Sequence, residues 1–150
     1  MAARYWTVSW DDFRRDTRTL ADQLAGTGPY KGIVAITRGG LLPATLLAHA
    51  LDIRVVETVS IAAYDQDGRG EEALGTPVVT KPPDAAGDGT GFLLVDDLVD
   101  TGATARVARA LLPKARFVCV YAKPAGRPLA DHVVREVSQD TWIVLPWEKG

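Results

Sequence analysis

Cysteine occurs once, at Cys119, in a stretch that reads as a buried strand. That leaves no disulfide and no cysteine-based metal site, and it suits a small core residue better than a nucleophile. Runs of Lys or Arg are missing and the formal net charge is −2, which argues against nucleic acid as the main partner. Anionic ligands would have to be met by local groups and a metal. No apolar run approaches the roughly 18 residues of a membrane span. The N-terminus carries Arg4 and further charges instead of an apolar leader, so a cytoplasmic, soluble protein with no transmembrane segment is expected. The phosphate loop G-x-x-x-x-G-K-[ST] is absent, which removes the P-loop NTPases. Repeats and domain linkers are absent too. With 150 residues, 47% of them hydrophobic and 24% charged, the chain suits a single globular domain over 1–150.

What is present alternates between strand and helix patterns. Ser9-Trp10-Asp11-Asp12 resembles a capping box with Asp in place of Glu. Phe13, Leu20, Ala21 and Leu24 then mark the apolar face of a helix ending near Gly26. Lys31 to Ile36 reads as a core strand, Leu42 to Leu51 as a helix with Pro43 in its first turn, and Arg54 to Ile61 as a second strand. From Asp65 to Gly91 Gly, Pro and charge dominate. This predicts a long mobile segment, a lid candidate over about 65–91, with a short strand at Pro77 to Thr80. Strands follow at Phe92, at Arg116 to Tyr121, and more weakly at Val133 to Val137 and Thr141 to Leu145. The βαβ alternation predicts an α/β fold with a parallel sheet and ligands at the carboxyl ends of its strands.

The chemistry concentrates after Phe92. Residues Phe92 to Val95 are apolar without alternation, as in a parallel strand covered on both faces. Asp96 and Asp97 end that run, and Asp100-Thr101-Gly102-Ala103-Thr104 leads into a helical pattern over Ala105 to Leu112, stopped by Pro113. Helix N-termini bind phosphate through unpaired N–H groups and the helix dipole. An acidic pair beside such a cradle suits a phosphorylated sugar with a divalent cation. Asp100 to Ala103 also spells the aspartic-protease tetrapeptide, but those proteins are all-β and this loop feeds a helix. A plain N-cap accounts for Asp100 or Thr101, not for three carboxylates around one strand end. A second loop, Thr37-Arg38-Gly39-Gly40, follows the first core strand. Its glycines permit a close approach or an unusual backbone, and Arg38 offers a charged fork for phosphate.

The run Asp96 to Thr104 resembles the motif by which type I phosphoribosyltransferases bind phosphoribosyl diphosphate (PRPP): two acidic residues, two apolar residues, then Asp-Thr-Gly-x-Thr. Tyr5 to Trp10, Tyr30 to Gly40, Ser60 to Asp65, Lys114 to Pro128 and Gln139 to Trp147 are similar to the bacterial xanthine-guanine branch of that family. The resemblance implies a type I phosphoribosyltransferase fold with a mobile hood, and transfer from PRPP to guanine, xanthine or hypoxanthine in purine salvage, with Mg²⁺. It implies a homo-oligomer, dimer or tetramer. By the same resemblance Asp96 and Asp97 hold the ribose hydroxyls and the metal, and Asp100 accepts a proton near N7 of the purine. Thr101, Gly102, Ala103 and Thr104 cradle the 5′-phosphate, and Arg38, Gly39 and Gly40 form the pyrophosphate loop. Lys123 donates to the 6-oxo group, Trp142 stacks on the base, and backbone around Trp142 and Ile143 reads its 2-position. Arg69 is the candidate pyrophosphate contact from the lid. Ala103 stands where close relatives often carry Gly, and residues 66–90 match poorly. Lys123 also reads as a surface lysine, and Trp6, Trp10 and Trp147 as packing residues. An acceptor such as adenine or a pyrimidine, or a non-catalytic PRPP-sensing regulator, is the alternative reading.

Overall fold

A computed structural model describes residues 4–64 and 76–148. The strands are β1 (Arg4–Thr7), β2 (Gly32–Thr37), β3 (Val56–Tyr64), β4 (Thr76–Lys81), β5 (Phe92–Val99), β6 (Arg116–Ala122), β7 (His132–Glu136) and β8 (Thr141–Val144). The helices are α1 (Trp10–Leu24), α2 (Leu41–Ala50) and α3 (Ala103–Leu111). Strands β2 to β7 form one sheet in the order β4-β3-β2-β5-β6-β7, parallel throughout except for β4, which runs antiparallel to β3.

Lack of alternation in β2 and β5 has the expected cause. Ile33, Ala35, Leu93 and Val95 face a core shared with α1 and α2, while Val34, Ile36 and Leu94 face a second core shared with α3. Both faces are covered, so the stretches 33–36 and 92–95 are apolar at every position. The capping box of α1 forms as read: the Ser9 hydroxyl accepts from the Asp12 N–H at 3.0 Å, and the Ser9 N–H donates to the Asp12 carboxylate at 3.2 Å. Farther along α1, buried Asp16 accepts from the Tyr121 hydroxyl at 2.8 Å and from Arg135 Nε at 2.9 Å. A buried carboxylate is tolerated only when paired in this way, and the arrangement ties α1 to β6 and β7.

One expectation needs correction. The carboxylates of Asp96 and Asp97 do not end β5. The strand continues to Val99, pairing Leu98 with Tyr121 and Val99 with Ala122 on β6. Residues 76–91 carry regular structure. β4 pairs with β3 over five positions, a 3-10 turn spans Asp84–Ala86, and Ala86 is buried. The Glu57 carboxylate holds this region by accepting from Lys81 Nζ and from the Ala85 N–H. The rest of the expected lid, 65–75 with Arg69, lies outside the described residues. Finally, β1 carries no strong sequence signal. It forms because β8 pairs with it in parallel, as a separate two-stranded sheet with Tyr5 opposite Trp142.

Candidate active site

From β2 the chain winds through α2 to β3 on one side, and from β5 through α3 to β6 on the other. The strand order therefore reverses between β2 and β5. Loops leaving those two strands diverge and open a crevice at their carboxyl ends, the usual ligand position in such sheets. A cleft of about 860 Å³ occupies this point. Arg38 and Gly39 line it from the first loop, Asp96 and Asp97 from β5, and Asp100, Gly102 and Thr104 from the second.

Local geometry explains the glycines. Neither Gly39 nor Gly40 has a positive φ, so close approach and not an unusual backbone is the reason for both. A Cβ on Gly39 would lie 2.6 Å from Asp97 Cγ, and one on Gly40 would lie 2.5 Å from the Val95 carbonyl oxygen. Gly39 thus packs directly on the acidic pair, and Gly40 stands behind it against β5. Gly102 does need its freedom: it caps α3 at φ +93, and a Cβ there would meet Leu129 Cδ1 at 2.7 Å. α3 begins at Ala103, two residues earlier than the apolar pattern suggests, which puts Thr104 in its first turn beside the unpaired N–H groups. The Thr101 hydroxyl accepts from the Ala103 N–H at 3.3 Å.

The acidic residues differ in environment. Asp97 accepts from the Leu98 N–H at 2.7 Å, and Asp96 accepts from the Asp97 N–H at 2.8 Å. Burial holds the Asp97 carboxyl above its ordinary value, and the Glu148 charge pushes the same way. Asp100 is more open and fully engaged. Its Oδ2 accepts from Lys123 Nζ at 3.0 Å and its Oδ1 from Gln139 Nε2 at 2.8 Å. Lys123 is 5% exposed, so it is not a surface lysine. Its stem is fixed by an N–H bond to the Val99 carbonyl at 2.9 Å.

None of the residues expected at the base lines the cleft; Lys123 reaches it only through its bond to Asp100. Trp142 is 62% exposed on the outer side of β8 while Ile143 points into the core, and neither lines the cleft. Leu145, Trp147 and Glu148, which carried no functional expectation, do line it. Trp147 also packs as read, its ring centroid 5.0 Å from Phe13 and 6.0 Å from Trp10. One aromatic therefore serves core and cleft together.

Among the described residues no group of three His, Cys, Asp or Glu side chains converges on a metal position. Asp96 and Asp97 offer two carboxylates, and burial holds the Asp97 carboxyl above its ordinary value. This suits Mg²⁺, which usually takes one or two carboxylates and completes its shell with substrate phosphates and water.

A phosphoribosyl transferase domain is matched over residues 9–149. The chain belongs to the phosphoribosyltransferase family. Among curated relatives, the xanthine-guanine phosphoribosyltransferase of Gluconobacter oxydans is 56% identical over 146 residues, 96% of this chain and 84% of that protein. The enzyme of that name from Desulfotalea psychrophila is 51% identical, covering 97% of this chain and 87% of that protein. The purine phosphoribosyltransferase of Pyrococcus horikoshii shares the fold with a TM-score of 0.80 and 28% identity, over 97% of this chain and 95% of that one. Both of these curated relatives, each at least 51% identical, are named xanthine-guanine phosphoribosyltransferase.

Proposed function

We propose that this protein transfers the phosphoribosyl group of PRPP to guanine, xanthine or hypoxanthine, releasing pyrophosphate and forming the nucleoside 5′-monophosphate. The observation that carries the reading is the Lys123–Asp100 pair, 3.0 Å apart, with Asp100 lining the cleft of about 860 Å³. A 6-oxopurine presents an acceptor, its carbonyl oxygen, beside N7, which carries a proton to be lost. A lysine donor next to a carboxylate acceptor is complementary to that edge. Adenine presents a 6-amino donor instead, leaving Lys123 facing another donor, and an unpaired polar site discriminates strongly.

In this reading the N-terminus of α3, with Thr101 to Thr104, takes the 5′-phosphate. Asp96 and Asp97 take the ribose hydroxyls and would hold Mg²⁺. Arg38, with the backbone of Gly39 and Gly40, takes the pyrophosphate, joined by Arg69 from outside the described residues. As the bond from C1 of the ribose to pyrophosphate breaks, positive charge on the sugar is stabilised by the nearby carboxylates and negative charge on the leaving group by Arg38. Bound Mg²⁺ supplies further charge neutralisation on the pyrophosphate oxygens. Asp100 accepts the N7 proton as the base attacks. Trp142 stacks on the base and backbone near Ile143 reads its 2-position, which asks the β1–β8 sheet to bring its outer face toward the cleft. A cytoplasmic, homo-oligomeric enzyme is part of the same proposal. No described helix is long and apolar enough to cross a membrane, and Leu41, Leu46, Val55 and Val56 expose apolar surface suited to a second copy.

Purified protein mixed with PRPP, Mg²⁺ and single bases tests this directly. Turnover of 6-oxopurines with little use of adenine is expected, and no turnover of any 6-oxopurine would overturn the proposal. Asp100→Asn should lose ~10²–10⁴-fold in kcat, the usual worth of a positioned proton acceptor, with PRPP binding retained.

A further inference from the structure

We infer that Gln139 is a positioning residue for Asp100, fixing the orientation of the carboxylate that takes the purine proton. This rests on the functional reading above. Gln139 lies in the turn between β7 and β8, remote in sequence from Asp100, yet its side-chain amide bridges two separate loops. Its Nε2 donates to Asp100 Oδ1 at 2.8 Å, and its Oε1 accepts from the Ala125 N–H at 2.9 Å. The amide has one orientation. Reversed, it would set Oε1 against the carboxylate and Nε2 against an N–H donor, two repulsive contacts in place of two bonds.

Each end of the bridge is anchored. Gly126, next to Ala125, packs so tightly on β5 that a Cβ there would lie 2.8 Å from the Asp100 carbonyl oxygen. The Gly126 and Arg127 N–H groups both donate to the Lys123 carbonyl, at 3.1 and 3.0 Å. On the other side, the turn is closed by the Thr141 N–H to the Ser138 carbonyl at 3.0 Å and by the two hydroxyls of those residues at 2.6 Å. An exposed glutamine usually has rotamer freedom that weakens any bond it makes. Here the backbone at both ends is already set, so the amide reaches Asp100 from a fixed base.

Asp100 is thus held at both oxygens by groups of different kind. Lys123 brings charge and is assigned to the substrate. Gln139 brings none and has no acceptor to satisfy on the base. When a 6-oxopurine takes up the Lys123 donor, Gln139 is the side chain left to keep the carboxylate plane aimed at N7. Glutamine is the residue type that meets these demands. Asparagine is one methylene short, and glutamate would set an anion against Asp100.

Kinetics of Gln139→Leu and Gln139→Glu, with PRPP, Mg²⁺ and guanine, test this. Gln139→Leu should lower kcat ~10–100-fold, the range for one hydrogen bond to a charged group, with KM for PRPP and melting temperature little changed. Gln139→Glu keeps the acceptor for Ala125 but replaces the donor for Asp100 with an anion, so it should fall at least as far. In an Asp100→Asn background either substitution should change kcat less than about twofold, because both then act through a group already removed. Wild-type kcat in Gln139→Glu, or a loss that multiplies with Asp100→Asn, would show that Gln139 serves only the loop and would overturn the proposal. Such a result leaves wild-type turnover intact, whereas failure of the functional reading shows as a wild-type protein that uses no 6-oxopurine, and the proposal falls with it.

Discussion

A methyl group on Gly39 has no room: its carbon would sit 2.6 Å from Asp97 Cγ, with β5 fixed behind that carboxyl. Gly39→Ala must push either the first loop or Asp97 out of place. Overpacking of this kind costs about 1–3 kcal/mol, so kcat/KM for PRPP should drop roughly 10–100-fold while KM for the base moves little. Steady-state kinetics with each substrate varied will show it. The sequence suggests that the two glycines let the chain approach a ligand or adopt an unusual backbone; the structure shows them packed against Asp97 and the Val95 carbonyl, which lie far away in sequence. Lys123 shows the same limit. Nothing in Ala122-Lys123-Pro124 separates a surface lysine from one that is 5% exposed and paired with Asp100. Gln139 was invisible for a further reason. An amide acquires a role only from partners on other loops, and no local pattern announces them.

At the scale of elements, sequence served best where the physics is local. The Ser9 capping box, the apolar face of α1 and the doubly buried β2 and β5 follow from neighbours a few residues apart. β1 does not; it is a strand because β8 is there to pair with it. β4 was legible as a short strand at Pro77 to Thr80, and pairing with β3 extends it over Thr76–Lys81. β4 is further secured by Glu57. Lys81, then the Thr58 and Ala85 N–H groups, hold its carboxyl down at about 2. A lowered carboxyl contributes stability that is present above the ordinary glutamate range and is lost as pH falls through about 2. Lys81 is partly exposed, so the contribution is on the order of 1 kcal/mol after screening. Glu57→Gln should therefore unfold more easily than wild type in urea near neutral pH, and the difference should shrink as pH falls from about 5 toward about 2. A pH-independent difference would mean that packing, not charge, holds β4.

For the whole molecule, the reversal of winding between β2 and β5 decides where the cleft lies, and that much followed from the βαβ order. How the cleft bears its own charge did not. Asp97 is raised by burial, so its contribution to stability is full below the ordinary aspartate range and is lost as pH rises through the raised value. Near neutral pH the empty protein carries that cost. Asp97→Asn should then raise the melting temperature of the ligand-free protein while abolishing turnover. PRPP with Mg²⁺ at ~100 times Kd should stabilise the wild type by about 2.7 kcal/mol, a rise of roughly 5–10 °C for a chain this size, and leave Asp97→Asn nearly unmoved. Thermal melts with and without ligand distinguish these cases.

The pairing of β1 with β8 has a consequence for how the protein is made. Residues 4–7 are synthesised well before their partner, residues 141–144. Until then the opening strand has no edge to bind. A nascent chain that already holds both loops still lacks the sheet that carries Trp142, so under the proposed function a capacity to grip PRPP would precede the capacity to receive a base. Proteolysis of stalled chains, read by PRPP protection, would follow that order in time.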